Sequence, residues 1–262
     1  MKAKRITLLV SIICVVLVFV VLSSTVFSLN RVEFCFLQSP IYYKSDSNIA
    51  ESVIKSGKFN YGESVFLIDK EAHAKKIEKE YPYIKVVGIE TKFPNVLLIQ
   101  SIERQAFFAV PNEENTMFAI CDGDFKVLRV VTYTDYVANP EYPSIDCADI
   151  RFSEQTVGDF LIETEESKIL AELPSIFEQI DYKSTEVGTI VKKFDVQKDT
   201  LRILSYNNYR IEISEPTKFL TEKIALAYTA IFGDEGVSED FCGLISVYQK
   251  DSKLYANSIV NG

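Results

Sequence analysis

The 262-residue chain has no tryptophan, two methionines and one histidine. A single histidine cannot build the multi-histidine ligand sets of catalytic zinc. His73 stands in Ala72-His73-Ala74-Lys75-Lys76, where it reads as a solvated side chain on a charged helix rather than a catalytic base. The five cysteines never form a C-x-x-C pair, so a zinc or thioredoxin-like site has no support. Cys35, Cys121, Cys147 and Cys242 would allow three disulfide pairings in an oxidising compartment. Their wide spacing reads more simply as isolated buried thiols. G-x-S-x-G, G-x-G-x-x-G and P-loop motifs are all missing. Glu163, Glu165 and Glu166 have the look of paired catalytic carboxylates, but they stand at the start of an expected helix, where the terminal dipole favours acids. Asp122-Gly123-Asp124 lacks the ligand spacing and closing glutamate of a calcium loop and reads as a turn. No catalytic residue, metal or cofactor is therefore expected.

Charge is absent from Ile6 to Asn30, and Ile6–Leu22 is apolar apart from Thr7 and Ser11. About 20 such residues suffice for a helix to cross a hydrocarbon core of roughly 30 Å. Lys2, Lys4 and Arg5 precede the run, and positive charge holds that end in the cytoplasm. The expected order is a cytoplasmic tail at 1–5, a transmembrane helix at 6–29, and the bulk of the chain outside the cytoplasmic membrane. A cleaved signal peptide is the alternative. Its apolar core would be about 7–15 residues, shorter than this run, and Val21-Leu22-Ser23 is a weak cleavage site. Removing the three tail cations leaves 25 basic residues against 37 acidic ones, a net of −12. That excess repels nucleic acid and anionic headgroups.

Beyond the apolar run the pattern is α+β. Arg31–Leu37 reads as a strand. Asn48–Ser56 reads as a helix, with Asn48 and Glu51 as a capping box and Gly57 as its stop. Asp69 caps a second helix over Lys70–Tyr81, with Ala74, Ile77 and Tyr81 as its apolar stripe and Pro82 ending it. Ile84–Phe93 and Val96–Glu103 read as strands joined by Pro94-Asn95. Short strands follow at Phe107–Val110, Met117–Cys121 and Phe125–Val131, with Asp122-Gly123 as a hairpin signal. Asn139–Asp149 reads as a loop. Leu161–Ile180 reads as a helix kinked or split by Pro174. Val187–Val196, Leu201–Ser205 and Tyr209–Ile213 form a meander. A helix opens at Pro216, buries Leu220, Ile224, Ala227, Tyr228 and Ile231, and closes at Gly233. Gly243–Tyr248 and Lys253–Ile259 form a final pair of strands.

The first strand-helix-helix-strand-strand unit resembles a POTRA domain, in the form found in the bacterial division proteins FtsQ and DivIB. The resemblance is carried by Gly62-Glu63-Ser64-Val65-Phe66-Leu67-Ile68-Asp69, Tyr81-Pro82-Tyr83-Ile84, Phe93-Pro94-Asn95 and Glu103-Arg104. It is strongest over 59–104 and departs from the family at Ala106, where proline is common. The resemblance implies a transmembrane helix, a βααββ POTRA domain at 30–104 and a β-rich domain with flanking helices at 105–262. It also implies a division scaffold that recruits FtsB/DivIC-like and FtsL-like proteins for septal peptidoglycan synthesis, with neither small-molecule substrate nor nucleic acid.

A chain of small sheets offers edges that can accept a partner strand through main-chain hydrogen bonds. An edge close to a chain end is seldom covered. Ile245-Ser246-Val247 is similar to a late strand of the family, and the resemblance places partner docking around and just after it. The expected docking residues are Tyr248, Lys253, Leu254, Tyr255 and Ala256. A wall-degrading enzyme and a POTRA-bearing transport component are the rival readings. The first would need a carboxylate pair not found here, and the second usually carries several such units and a barrel.

Overall fold

A computed structural model describes residues 2–153, 155–179, 190–197, 199–206, 209–232 and 242–260. The chain divides into two compact units, Met1–Arg104 and Gln105–Gly262.

The first unit opens with α1 (Lys2–Thr25), whose side chains are described over residues 10–21. Among the described residues no helix is long and apolar enough to cross a membrane. Then come β1 (Arg31–Phe36), α2 (Ile49–Gly57), α3 (Lys70–Glu80), β2 (Ile84–Lys92) and β3 (Val96–Glu103). The sheet order is β1-β3-β2. Strand β1 runs parallel to β3, and β2 pairs antiparallel with a bulge between Val86 and Gly88. Helices α2 and α3 pack on β1 and β2 respectively. Val53, Ile77, Ile84, Leu97 and Ile99 close the core without measurable exposure.

Three local expectations change. Asn48 makes no side-chain cap, so the capping box is not formed. The α2 stop is Lys58, in the left-handed region at φ 52, rather than Gly57. Gly57 is needed for another reason: a Cβ there would stand 2.4 Å from the Phe59 ring. His73 is buried rather than solvated. Its Nδ1–H donates to the Gly57 carbonyl at 2.6 Å, and its ring stacks on Phe59 at 4.4 Å. It lies one turn before Ile77, on the core side of the helix, while Glu71 and Lys75 pair in solvent.

The Glu-Arg step at the end of β3 locks this unit. Glu103 accepts from the backbone N–H groups of Ile41 and Tyr42. Arg104 donates to Glu78 on α3 at 3.1 Å, and the other Glu78 oxygen accepts from Val86 N at 2.8 Å. Helix α3, the start of β2 and the end of β3 are thus tied through two charges withdrawn from water.

The second unit contains β4 (Ala106–Pro111), β5 (Met117–Asp122), β6 (Val127–Thr132), α4 (Tyr133–Ala138), β7 (Ser144–Asp146), α5 (Glu165–Gln179), β8 (Val191–Gln197), β9 (Thr200–Ser205), β10 (Tyr209–Ser214), α6 (Leu220–Phe232), β11 (Gly243–Lys250) and β12 (Lys253–Val260). These strands form one nine-stranded sheet, β12-β11-β10-β9-β8-β7-β4-β5-β6, instead of several small ones. The join is β7, inside the expected loop. It pairs parallel to both β4 and β8 and buries Ile145. Its position is held by Tyr136 on α4, whose hydroxyl donates to Tyr142 O at 2.7 Å.

Helix α5 runs unsplit through Pro174, which packs where Gly123 has no side chain; a Cβ on Gly123 would be 2.8 Å from the proline ring. It begins at Glu165 rather than Leu161, with Thr164 as its cap: Ser167 N donates to Thr164 Oγ1 and Thr164 N to Ser167 Oγ. Glu165 and Glu166 occupy the first turn, and Lys168 pairs with Glu163 and Glu165. The core centres on Phe108, stacked on Phe125 at 5.1 Å and edge-on to Phe194 at 5.9 Å. All five cysteines are free; Cys121 and Cys147 are buried, and burial pushes both thiols up. Residues 187–189 of the expected meander and Gly233 lie outside the described residues.

Breaking a buried ion pair leaves a charge without its counterpart. Arg104→Ala should therefore lower the unfolding free energy of the first unit by about 3 kcal/mol, measured by urea denaturation.

Candidate functional site

The last two strands form a regular hairpin. Asp251 and Ser252 adopt φ 50 and 61, the left-handed pair that a two-residue loop needs to match strand twist. Pairing runs without a bulge from Lys250↔Lys253 to Gly243↔Val260. The hairpin joins the rest of the sheet through β10, which pairs parallel to β11. A parallel neighbour requires a crossover, and α6 supplies it, packing on β10, β11 and β12.

The approach to α6 departs from expectation. The helix begins at Leu220 rather than Pro216, after a turn in which Glu215 and Phe219 take φ 47 and 57. Lys223 fixes that turn. It has no measurable exposure, and its Nζ donates to Ser214 O at 2.7 Å and Glu215 O at 2.8 Å. Burial draws its amine below the ordinary lysine range. The end of β10 and the first turn of α6 are thereby held together, which sets where β11 can return.

The expected docking residues divide between the two faces of the hairpin. Leu254 and Ala256 turn inward, half-buried, and Ala256 packs on the core beneath α6. Lys253, Tyr248 and Tyr255 turn outward. The two tyrosine rings face each other across the strands at 5.8 Å, and Asn257 Nδ2 donates to Tyr248 Oη at 3.0 Å. Sequence reasoning missed Asn257 and Ile259, which continue the outward row from Tyr255; Ile259 is 53% exposed. Strict alternation counted forward from Tyr255 would have found both.

A polar row crosses this outer face. Asp195, Arg202, Glu212, Ser246 and Asn257 are successive cross-strand neighbours. Arg202 pairs with Asp195 and with Glu212, each at 3.3 Å. The face therefore grades from paired charges toward neutral aromatic and apolar groups as it nears β12.

The two ends of the large sheet differ. At β6 the segment around 158–161 covers the start of the edge: Gly158 N donates to Val127 O, Val127 N to Asp159 O and Leu161 N to Phe125 O. At β12, among the described residues, no strand lies beyond. Alternate residues of β12 direct N–H and C=O groups away from β11. This long, regular, weakly charged edge is the arrangement that accepts another strand.

In the first unit, residues 48–104 match the family model of the FtsQ-type POTRA domain. That interval covers α2 through β3 and the Glu103-Arg104 lock. No curated protein matches the chain.

The Tyr248–Tyr255 contact is a surface pair on a hairpin anchored from the other side. Tyr255→Ala should lower the stability of the second unit by no more than about 1 kcal/mol, read from its urea midpoint.

Proposed function

We propose that this chain, which carries an FtsQ-type POTRA domain, is a membrane-anchored scaffold of bacterial cell division. In this reading it recruits FtsB/DivIC-like and FtsL-like partners for septal peptidoglycan synthesis and performs no chemistry itself. The observation that carries the reading is the POTRA match at 48–104. POTRA domains act through contacts with other proteins, in keeping with a recruiting role.

Anchoring is supported by the opening residues. No charge occurs between Ile6 and Asn30. Helix α1, with 24 residues, is about 36 Å long at 1.5 Å per residue, comparable with a bilayer core. Apart from Ser11, its described side chains are apolar, and they are uncovered: Val10 is 52% exposed, Val15 68% and Phe19 61%. A helix apolar all round needs an apolar surrounding, and lipid would provide it. Lys2, Lys4 and Arg5 would stay in the cytoplasm, leaving residues 30–262 outside the cytoplasmic membrane at the division septum.

Recruitment is assigned to β12. A partner segment adding a strand there would gain main-chain hydrogen bonds, with Tyr248, Tyr255 and Ile259 supplying side-chain selectivity on one face. Division partners with short outer segments suit this mode, because an extended segment needs no fold of its own.

A tagged full-length chain should concentrate at the division site and co-purify with FtsL-like and DivIC-like proteins. Removing residues 248–262 should abolish co-purification while the membrane-bound amount stays unchanged. Uniform distribution around dividing cells, with no such partner recovered, would refute the reading.

A further inference from the structure

The structure carries an exposed aromatic cluster immediately after α1. Phe27, two residues beyond the end of the helix, meets Phe66 at 5.3 Å and Phe93 at 6.4 Å, and Phe66 meets Phe93 at 5.9 Å. These rings come from three separate stretches of chain that the backbone holds together. Val65 N donates to Phe27 O at 2.9 Å, Leu29 N to Glu63 O at 2.7 Å, Gly62 N to Leu29 O at 2.9 Å and Asn30 N to Asn95 O at 2.9 Å. The cluster is a built feature of the POTRA-bearing unit: Phe27 packs against the core, and the other rings project from it into the open. Phe66 is 55% exposed, Leu67 76% and Phe93 67%, with Val26 beside them at 40%.

We infer that this patch docks into the headgroup region of the bilayer that holds α1, fixing the POTRA domain against the membrane surface. The inference rests on the membrane anchoring proposed above. Distance selects lipid as the occupant. Two residues of chain span at most about 7 Å, and the interfacial zone on each side of the hydrocarbon core is roughly 5–8 Å deep. A ring cluster tethered that closely to the end of a spanning helix stands within the zone that aromatic side chains favour. Chemistry agrees: Val26, Phe27, Phe66, Leu67 and Phe93 carry no charge, so contact requires no stripping of ions. One end of the domain is thereby fixed, which leaves the anchored chain less free to swivel than a bare linker would.

The absence of tryptophan makes the test direct, since each introduced indole reports only its own position. Full-length Phe66→Trp and Phe93→Trp chains are reconstituted into phosphatidylcholine vesicles whose acyl chains are brominated close to the headgroup. Phe19→Trp, in α1, reports insertion of the helix itself in vesicles brominated deep in the chain. Emission from the two patch indoles should fall by about half or more relative to unbrominated vesicles, as for interfacial residues, with reduced quenching by aqueous iodide. If the α1 indole is quenched while the other two respond only to iodide, the docking inference is wrong and the anchor stands. If the α1 indole is not quenched, the anchor fails and the docking inference falls with it. Patch indoles shielded from both bromine and iodide would mean that protein, such as a second copy, covers the cluster, which also overturns the inference.

Discussion

A β-sheet has to end somewhere, and its last strand keeps peptide groups that no neighbour satisfies. In this chain the 158–161 segment covers the start of β6 at one end of the large sheet, while among the described residues β12 is left as a regular, unbulged edge. Much of the second unit can be understood as what holds that edge in place. The α6 crossover sets β11 parallel to β10, Lys223 secures the turn that starts the crossover, and the Asp251-Ser252 turn returns β12 in register. The strand is presented on a rigid support rather than on a loop, so an incoming segment meets a surface already ordered. Ordering cost on the scaffold side is then small, and the partner carries most of it.

The first unit solves a different problem with similar economy. Its sheet has three strands, and its core residues are few. Polar links compensate: the buried Glu78–Arg104 pair and His73–Gly57 hydrogen bond, and at the surface the Glu103 contacts with the 41–42 backbone. Each joins segments distant in sequence. For the Glu78–Arg104 pair the net stability gained is small, since both charges had to leave water, whereas removing one partner is costly.

Local structure was legible in the sequence wherever periodicity and terminal chemistry agreed. Strand β3 occupies the expected Val96–Glu103, and α3 starts after Asp69, which caps it through Ala72 N. The α+β class and the βααββ order follow from the same signals. Long-range pairing was not legible. The three residues of β7 behind Pro143, one apolar between two polar, are too short a run to read as a strand, yet they join two groups of strands into one sheet. Buried His73 and Lys223 were hidden because polar residues on helices ordinarily face water; only their partners, Gly57 O and the Ser214 and Glu215 carbonyls, explain them. For the docking region, the strands were readable and the faces were not separated. The sequence offers Lys253–Ala256 as one stretch, whereas the fold turns Leu254 and Ala256 toward α6 and leaves Tyr255 outside.

Whether partners are recognised by strand addition along β12 can be read from amide hydrogen exchange of Leu254–Ile259. The exchange is followed by NMR on the full chain in detergent, with the outer segment of a DivIC-like protein added. Strand addition requires that alternate amides, those directed away from β11, slow by about tenfold or more on binding. Saturable binding that leaves every one of these rates unchanged would contradict it.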